Sequence, residues 1–420
     1  MDVLNTLFLI VDFETRGAVD LRGKNSVGLH NYATHPETEA LMLGYALTTL
    51  REKPSPSLWR IWSREQMPTD LASGLANPNI PIAAWNSQFE RYIFLYKLGV
   101  MLPIERFQDP QASSRYLSLT GDLKDDGRAL WLPPDLAKEH KGEEYIKLFS
   151  MLTRVKESKK KGTPAQAYFR DCVTDTEAWE GFEDYCKQDV VAEWEMMRRE
   201  ALVQAFPLPE RERRIWVFDQ RVNDRGIPVD IEFVQKALDL AIRAKQQALR
   251  RISELTGVEN PNSIPKMLAW FQSQGYPEDS LDKDFVTPVL KKQRDLLTPL
   301  CIKVLEARKA AASTTYQKLA AILRQVSPDG RLRNQFIYMG SSRCGRWSGN
   351  AVQLHNMARP EELFEDRKIM DRARALIMAS DYDGIIREFG KKSEDPNEPP
   401  DYGAVLLVVK NTIRTVFVAK

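Results

Sequence analysis

Cysteine is scarce in this chain and scattered: Cys172, Cys186, Cys301 and Cys344 form no Cys-x-x-Cys pair. That spacing excludes a zinc module, and the density is too low for a disulfide framework, so ordinary thiols are expected. Long apolar runs are missing as well. The longest, residues 7–11 and 404–409, fall far short of a bilayer-spanning helix, and Met1 is not followed by a basic segment and a signal-like apolar stretch. A soluble, cytoplasmic protein is therefore expected. Neither sign of charge dominates: a net charge of +2 argues against polyanion binding by the whole surface but leaves room for local basic patches. What the chain does have is length, since 420 residues exceed one ordinary core and predict two or three domains.

Strand signals crowd the first ninety residues. LFLIVDF (7–13), ALMLGYALTTL (40–50), LWRIW (58–62) and IPIAAW (80–85) are short, apolar and rich in β-formers, as buried strands are. The pattern then turns helical in FERYIFLYKLGV, and again in TEAWEGFEDYCKQDVVAEWEMMRREAL, where apolar residues recur every three or four positions. Residues 1–204 therefore read as an α/β domain. The segment ESKKKGTPAQ (157–166) lacks periodicity and reads as an exposed loop, with a phosphate contact as the lesser alternative. Two prolines in AFPLPER (205–211) mark the boundary to a mostly helical second half. Basic clusters there, at 211–214, 250–251 and 291–294, are expected to be solvated helix faces.

Three acidic patterns carry candidate chemistry. Asp12-Phe13-Glu14 ends the first predicted strand, and a period of two puts both carboxylates on one face. Glu90, in WNSQFE, falls near a predicted helix N-terminus, where the dipole favours a carboxylate; Asn86 could cap that helix. Tyr185 and Asp189 are four apart on a predicted helix and project from the same face. Each pattern alone is as readily an ordinary edge pair, a first-turn acid or a surface pair.

Together, Asp12-x-Glu14, Asn86-x-x-Phe89-Glu90 and Tyr185-x-x-x-Asp189 resemble, in order and spacing, the three exonuclease motifs of the DEDD superfamily, in its tyrosine-bearing branch. These are the motifs of the proofreading domain of family A DNA polymerases. The resemblance implies a ribonuclease H-like fold, a mixed sheet flanked by helices, and 3′ to 5′ exonuclease activity on DNA with two divalent ions, Mg²⁺ or Mn²⁺. Asp12, Glu14 and Asp189 would ligate the first ion, Asp12 would bridge to the second, Glu90 would hold that second ion largely through water, and Tyr185 would orient the attacking water. Glu90 departs from the family pattern, which has aspartate there. Asn86 and Phe89 are implied as DNA contacts. Phe13 and Phe89 could stack on terminal bases, although core burial is the commoner fate beside strand ends.

The resemblance to family A continues through FDQRVNDRGIPVD (218–230), NPNSIPKMLAWFQSQG (260–275) and EARKAAASTTYQKL (306–319), which look like the polymerase thumb, with Arg308 and Lys318 as candidate phosphate contacts. SSRCGRWSGNAVQLHN (341–356) looks like the element written T-G-R-x-S followed by Q-N, with Cys344 in place of the threonine; it implies that Arg346, Ser348, Gln353 and Asn356 hold primer and template. The expected division is 1–204 exonuclease, 205–335 helical thumb-like region and 336–420 the start of an incomplete palm. Motif A and the later His-Asp-Glu are absent from these residues, and Asp381 in SDYDGIIREFG is a decoy. A phage or prophage source and a separate C-terminal polymerase polypeptide, from a split gene or a truncation, are thus expected. The alternatives are a catalytically silent DNA-gripping subunit and a stand-alone exoribonuclease.

Overall fold

The computed structural model describes residues 3–133, 136, 140–155, 166–292, 294–311, 315–341, 344–391 and 401–419. They form two compact units: Met1–Gly226 with Arg331–Gln353, and Ile227–Gly330 with Leu354–Lys420.

The first unit is mixed α/β. Its sheet has five strands, β1 (Phe8–Arg16), β2 (Glu39–Thr48), β3 (Ser57–Arg60), β4 (Ile82–Ala83) and β5 (Phe107–Gln108), in the order β3-β2-β1-β4-β5. β1, β2 and β3 are antiparallel, while β1, β4 and β5 run parallel. All four strands expected from the sequence are present, the fourth trimmed to two residues. Period-two alternation divides the core between the sheet's faces. Leu9, Val11 and Phe13 pack with Tyr92, Ile93 and Phe94 from α1 (Gln88–Leu98), whereas Phe8 and Ile10 pack with Val190, Trp194 and Met197 from a long helix on the other side. Phe13 is buried, edge-on to Phe94 at 4.8 Å, so stacking on a base is not its role.

After β5 come α2 (Pro110–Tyr116) and α3 (Thr176–Arg198), the long helix just mentioned, whose Glu183 forms a two-pronged ion pair with Arg60 of β3. Residues 157–165 of the expected loop lie outside the described residues. Gln166 already belongs to a short strand, Gln166–Tyr168, paired with Thr153–Val155. Helix α4 (Glu210–Arg225) belongs to this unit: Trp216 and Val217 join its core, and Asp224 takes two hydrogen bonds of 2.7 Å from Arg91 and one of 2.9 Å from the Tyr92 hydroxyl. Arg213 is not the solvated helix-face cation expected. It lies over the Trp216 ring and donates to the Glu105 carbonyl. The hairpin of β6 (Phe336–Ser341) and β7 (Arg346–Gly349) also belongs here. The Asn223 side chain binds both the N–H and the carbonyl of Phe336, as a strand neighbour would, and Tyr338 donates to Glu212.

The second unit is helical. α5 (Ile231–Thr256), capped by Asp230 accepting from the Phe233 N–H, buries Ala237, Ala241, Ala244 and Ala248 along one face. These small residues allow close approach of α6 (Pro299–Ala311), α7 (Thr315–Gln325), α8 (Arg367–Met378) and, beyond α9 (Tyr382–Phe389), α10 (Tyr402–Thr412). Asp381 caps α9 through the Gly384 N–H. Phe417 bridges Val229, with Val418 N–H donating to Pro228. Among the described residues, no helix is long and apolar enough to cross a membrane.

Candidate metal centre

Alternation along β1 turns Asp12 and Glu14 toward the face on which α3 packs. Opposite Asp12 in the register stands Gly44 of β2, and a Cβ there would lie 2.7 Å from the Cys186 carbonyl and 3.1 Å from Val190. Absence of a side chain at 44 is what lets α3 lie so close. At this crossing the Cys186 thiol donates to the Asp12 carbonyl at 3.6 Å, and Asp189, one turn on, meets the strand acids. The carboxylate oxygens of Asp12, Glu14 and Asp189 lie within 4.8 Å of one another, with Glu14 and Asp189 buried and Asp12 half-buried.

Tyr185 sits one turn before Asp189, buried and hydrogen-bonded to it. A side chain at Gly142 would collide with its ring, so the short helix His140–Tyr145 closes over the phenol. Burial first, then the charges of Asp189, Glu14 and Asp12, push the phenol far above its ordinary range and keep it neutral. The Cys186 thiol is raised for the same reasons, in keeping with its role as donor to the Asp12 carbonyl.

Glu90 is on the first turn of α1 but outside the 4.8 Å cluster. It is 3% exposed, its Oε2 has no hydrogen-bond partner, and burial, followed by the charge of Asp12, raises its pKa well above the carboxylate range. Asn86 does not cap α1 with its side chain. It is exposed and left-handed (φ 65°), and its N–H and that of Ser87 donate instead to Asp109. Asp109 also accepts from the Ser87 hydroxyl and from Gln111 N–H, so it fixes the turn before Glu90 while capping α2. Phe89 is half-buried against the core.

Two residues escaped the sequence reasoning. Asp109 carried a signal, an aspartate directly before Pro110 at the start of a helix. Glu193 carried a fainter one, four residues after Asp189 and eight after Tyr185 on one helical face. It is 2% exposed, accepts the Trp85 N–H at 3.0 Å through Oε1, and has no hydrogen-bond partner at Oε2. Burial, then Asp12 and Glu90, raise its pKa well above the ordinary range.

The DNA-contact candidates are spread over both units. Arg346, exposed, donates to Cys344 Sγ at 3.0 Å and, with Ser348 and the left-handed Gln353, lies in the first. In the second, Lys318 donates to the Asn356 carbonyl at 2.9 Å and Arg308 to the Pro261 carbonyl at 3.2 Å.

The donor set is all oxygen and anionic. Packing this many carboxylates into a buried space is costly unless protons or a cation balance them. The unpartnered oxygens of Glu90 and Glu193 mark where compensation is lacking. Hard divalent ions such as Mg²⁺ or Mn²⁺ fit such a set.

No protein-family model matches the sequence. The chain is 28% identical over 413 residues to the DNA polymerase of Bacillus phage SP02, an alignment covering 98% of this chain and 57% of that protein. It thus spans little more than half the length of that curated relative. Among solved structures, the POL domain of Pol1 from M. smegmatis, in complex with DNA primer-template and dNTP, has a TM-score of 0.47 and 15% identity, over 85% of this chain and 53% of that one.

Proposed function

We propose that this chain, 28% identical over 413 residues to the DNA polymerase of Bacillus phage SP02, is of the family A type and carries in its first unit a ribonuclease H-like 3′ to 5′ exonuclease acting on DNA during replication. The observation that carries this is the convergence of Asp12, Glu14 and Asp189 within 4.8 Å, with Tyr185 bound to Asp189 and Glu90 buried nearby. An exoribonuclease would share these acids. The alignment with a DNA polymerase over 98% of the chain favours DNA.

Asp12, Glu14 and Asp189 would hold divalent metal, with Glu90 beside them. Bound metal supplies charge stabilisation at the attacking and departing oxygens and lowers the pKa of water. The protein's own part is positional. β1 fixes two carboxylates on one face, the close approach at Gly44 sets Asp189 against them, and the neutral Tyr185 hydroxyl orients water by hydrogen bonding rather than by taking its proton. Asp109 holds the turn that carries Glu90. Arg308, Lys318, Arg346, Ser348, Gln353 and Asn356, with Asn86 and Phe89 near the acids, serve as DNA contacts. The domain roles, exonuclease followed by thumb-like and palm-like segments, and the need for a C-terminal polymerase partner belong to the same proposal.

The test uses the purified chain with a 3′-labelled single strand and a mismatched primer duplex, with Mg²⁺ or Mn²⁺ and without nucleotides, beside Asp12→Ala and Asp189→Ala. Release of the labelled nucleotide by the wild type and its loss, by about 10³-fold or more, in either variant is expected. Intact DNA with the folded wild type would instead favour a DNA-gripping subunit.

A further inference from the structure

We infer that Glu193 is a fifth carboxylate of this centre, completing with Glu90 the half that binds a second divalent cation. The inference rests on the metal-dependent nuclease reading and goes beyond its four-acid set.

Its basis is placement. Tyr185, Asp189 and Glu193 follow one another at four-residue intervals on α3, so the three side chains line one stripe. The middle one belongs to the close triad with Asp12 and Glu14. Glu193 is then tied to the next strand across: its Oε1 accepts the Trp85 N–H just past β4, at the head of the turn that leads into α1 and Glu90. β4 lies beside β1 in parallel, with Ala83 level with Ile10. Glu193 is thereby tied to the turn that leads to Glu90, and the charges of Asp12 and Glu90 both act on it.

The other carboxyl oxygens make the case for a ligand. Glu90 Oε2 and Glu193 Oε2 are both buried and both without a hydrogen-bond partner. A purely structural glutamate, placed to receive the Trp85 N–H, would need one oxygen and would leave the second to solvent or to another donor. Two unsatisfied carboxylate oxygens from different elements, each under the charge of Asp12 though outside the 4.8 Å cluster, are the donors assigned to an oxygen-only half-site for a hard cation.

Calorimetric titration of the full chain with Mn²⁺, repeated on Glu193→Gln, tests this. The amide is nearly isosteric and its oxygen still accepts from Trp85, so the fold should persist in circular dichroism. The expected result is a wild type with two binding steps and a variant whose weaker step is at least about tenfold weaker while the tighter one is retained, with kcat on single-stranded DNA reduced and KM little changed. If the amide variant does not fold, Glu193→Asp keeps the charge but withdraws the carboxylate by one methylene. A weakened second step in that folded variant again supports the assignment. Wild-type Mn²⁺ binding in either folded variant would overturn it and leave Glu193 a buttress for Trp85, with the exonuclease reading intact. Absence of any Mn²⁺ binding by the wild type would overturn both.

Discussion

At the scale of single residues, the proposed centre is a set of acids held at a cost that a bound cation would relieve. Burial raises the carboxyls of Glu90 and Glu193 above their unfolded values. In the metal-free protein, the stability these groups contribute is therefore full below the ordinary glutamate pKa, about 4.3, and is lost as pH rises through the raised folded values. The metal-free chain should melt at higher temperature near pH 5.5 than near pH 8, as far as these groups decide it, and Mn²⁺ should raise the melting temperature more at pH 8. Thermal scans in EDTA and in Mn²⁺ at the two pH values check this. Glu90→Gln removes the same cost and should raise the metal-free melting temperature at pH 8 while lowering nuclease activity about 100-fold or more. Tyr185 gives the opposite kind of test. Because its phenol is held neutral, the rate should show no alkaline limb from tyrosine ionisation below about pH 10. Tyr185→Phe should reduce kcat by about 10- to 100-fold without changing the shape of the profile over that range.

At the scale of elements, the acids meet only because α3 can lie flat on β2. Gly44→Ala would drive a methyl group into the Cys186 carbonyl. The helix must shift, at a cost of about 1–3 kcal/mol, and Asp189 must move away from Asp12. Chemical denaturation and a Mn²⁺ titration should both register the change, and unchanged stability with unchanged metal affinity would contradict the packing described. Asp109→Ala removes the acceptor for two backbone N–H groups before α1 and one at α2. It should cost about 1–3 kcal/mol and lower nuclease activity through Glu90. Strand positions were legible from sequence because β1, β2 and β3 fall on short apolar runs rich in β-formers, and the long helix because its apolar stripe is regular. Glu193 was not, because a glutamate on an amphipathic helix looks like surface until the helix docks. The place of the β6–β7 hairpin was not legible either. It depends on Asn223 binding Phe336, 113 positions away, and on Glu212 meeting Tyr338, 126 positions away, pairings that no local pattern carries.

At the scale of the whole molecule, the alignment with a phage DNA polymerase runs through both units, while the acid cluster lies in the first. Asp381, in a phrase that imitates a polymerase motif, spends its side chain capping α9. Given all four nucleotides and a mismatched primer, this 420-residue chain should therefore shorten the primer and not extend it; accumulation of longer products on a sequencing gel would show polymerase chemistry within these residues. The proposed nuclease is defined by its direction and by its dependence on the triad. It is tested most directly by following a 5′-labelled single strand through time with Mn²⁺, with EDTA, and with Asp189→Ala. The account predicts a ladder that shrinks from the 3′ end one nucleotide at a time with Mn²⁺ alone, and an intact strand in the other two reactions. Internal cuts, loss of the 5′ label as a short product, or an unchanged ladder from the folded Asp189→Ala chain would contradict it.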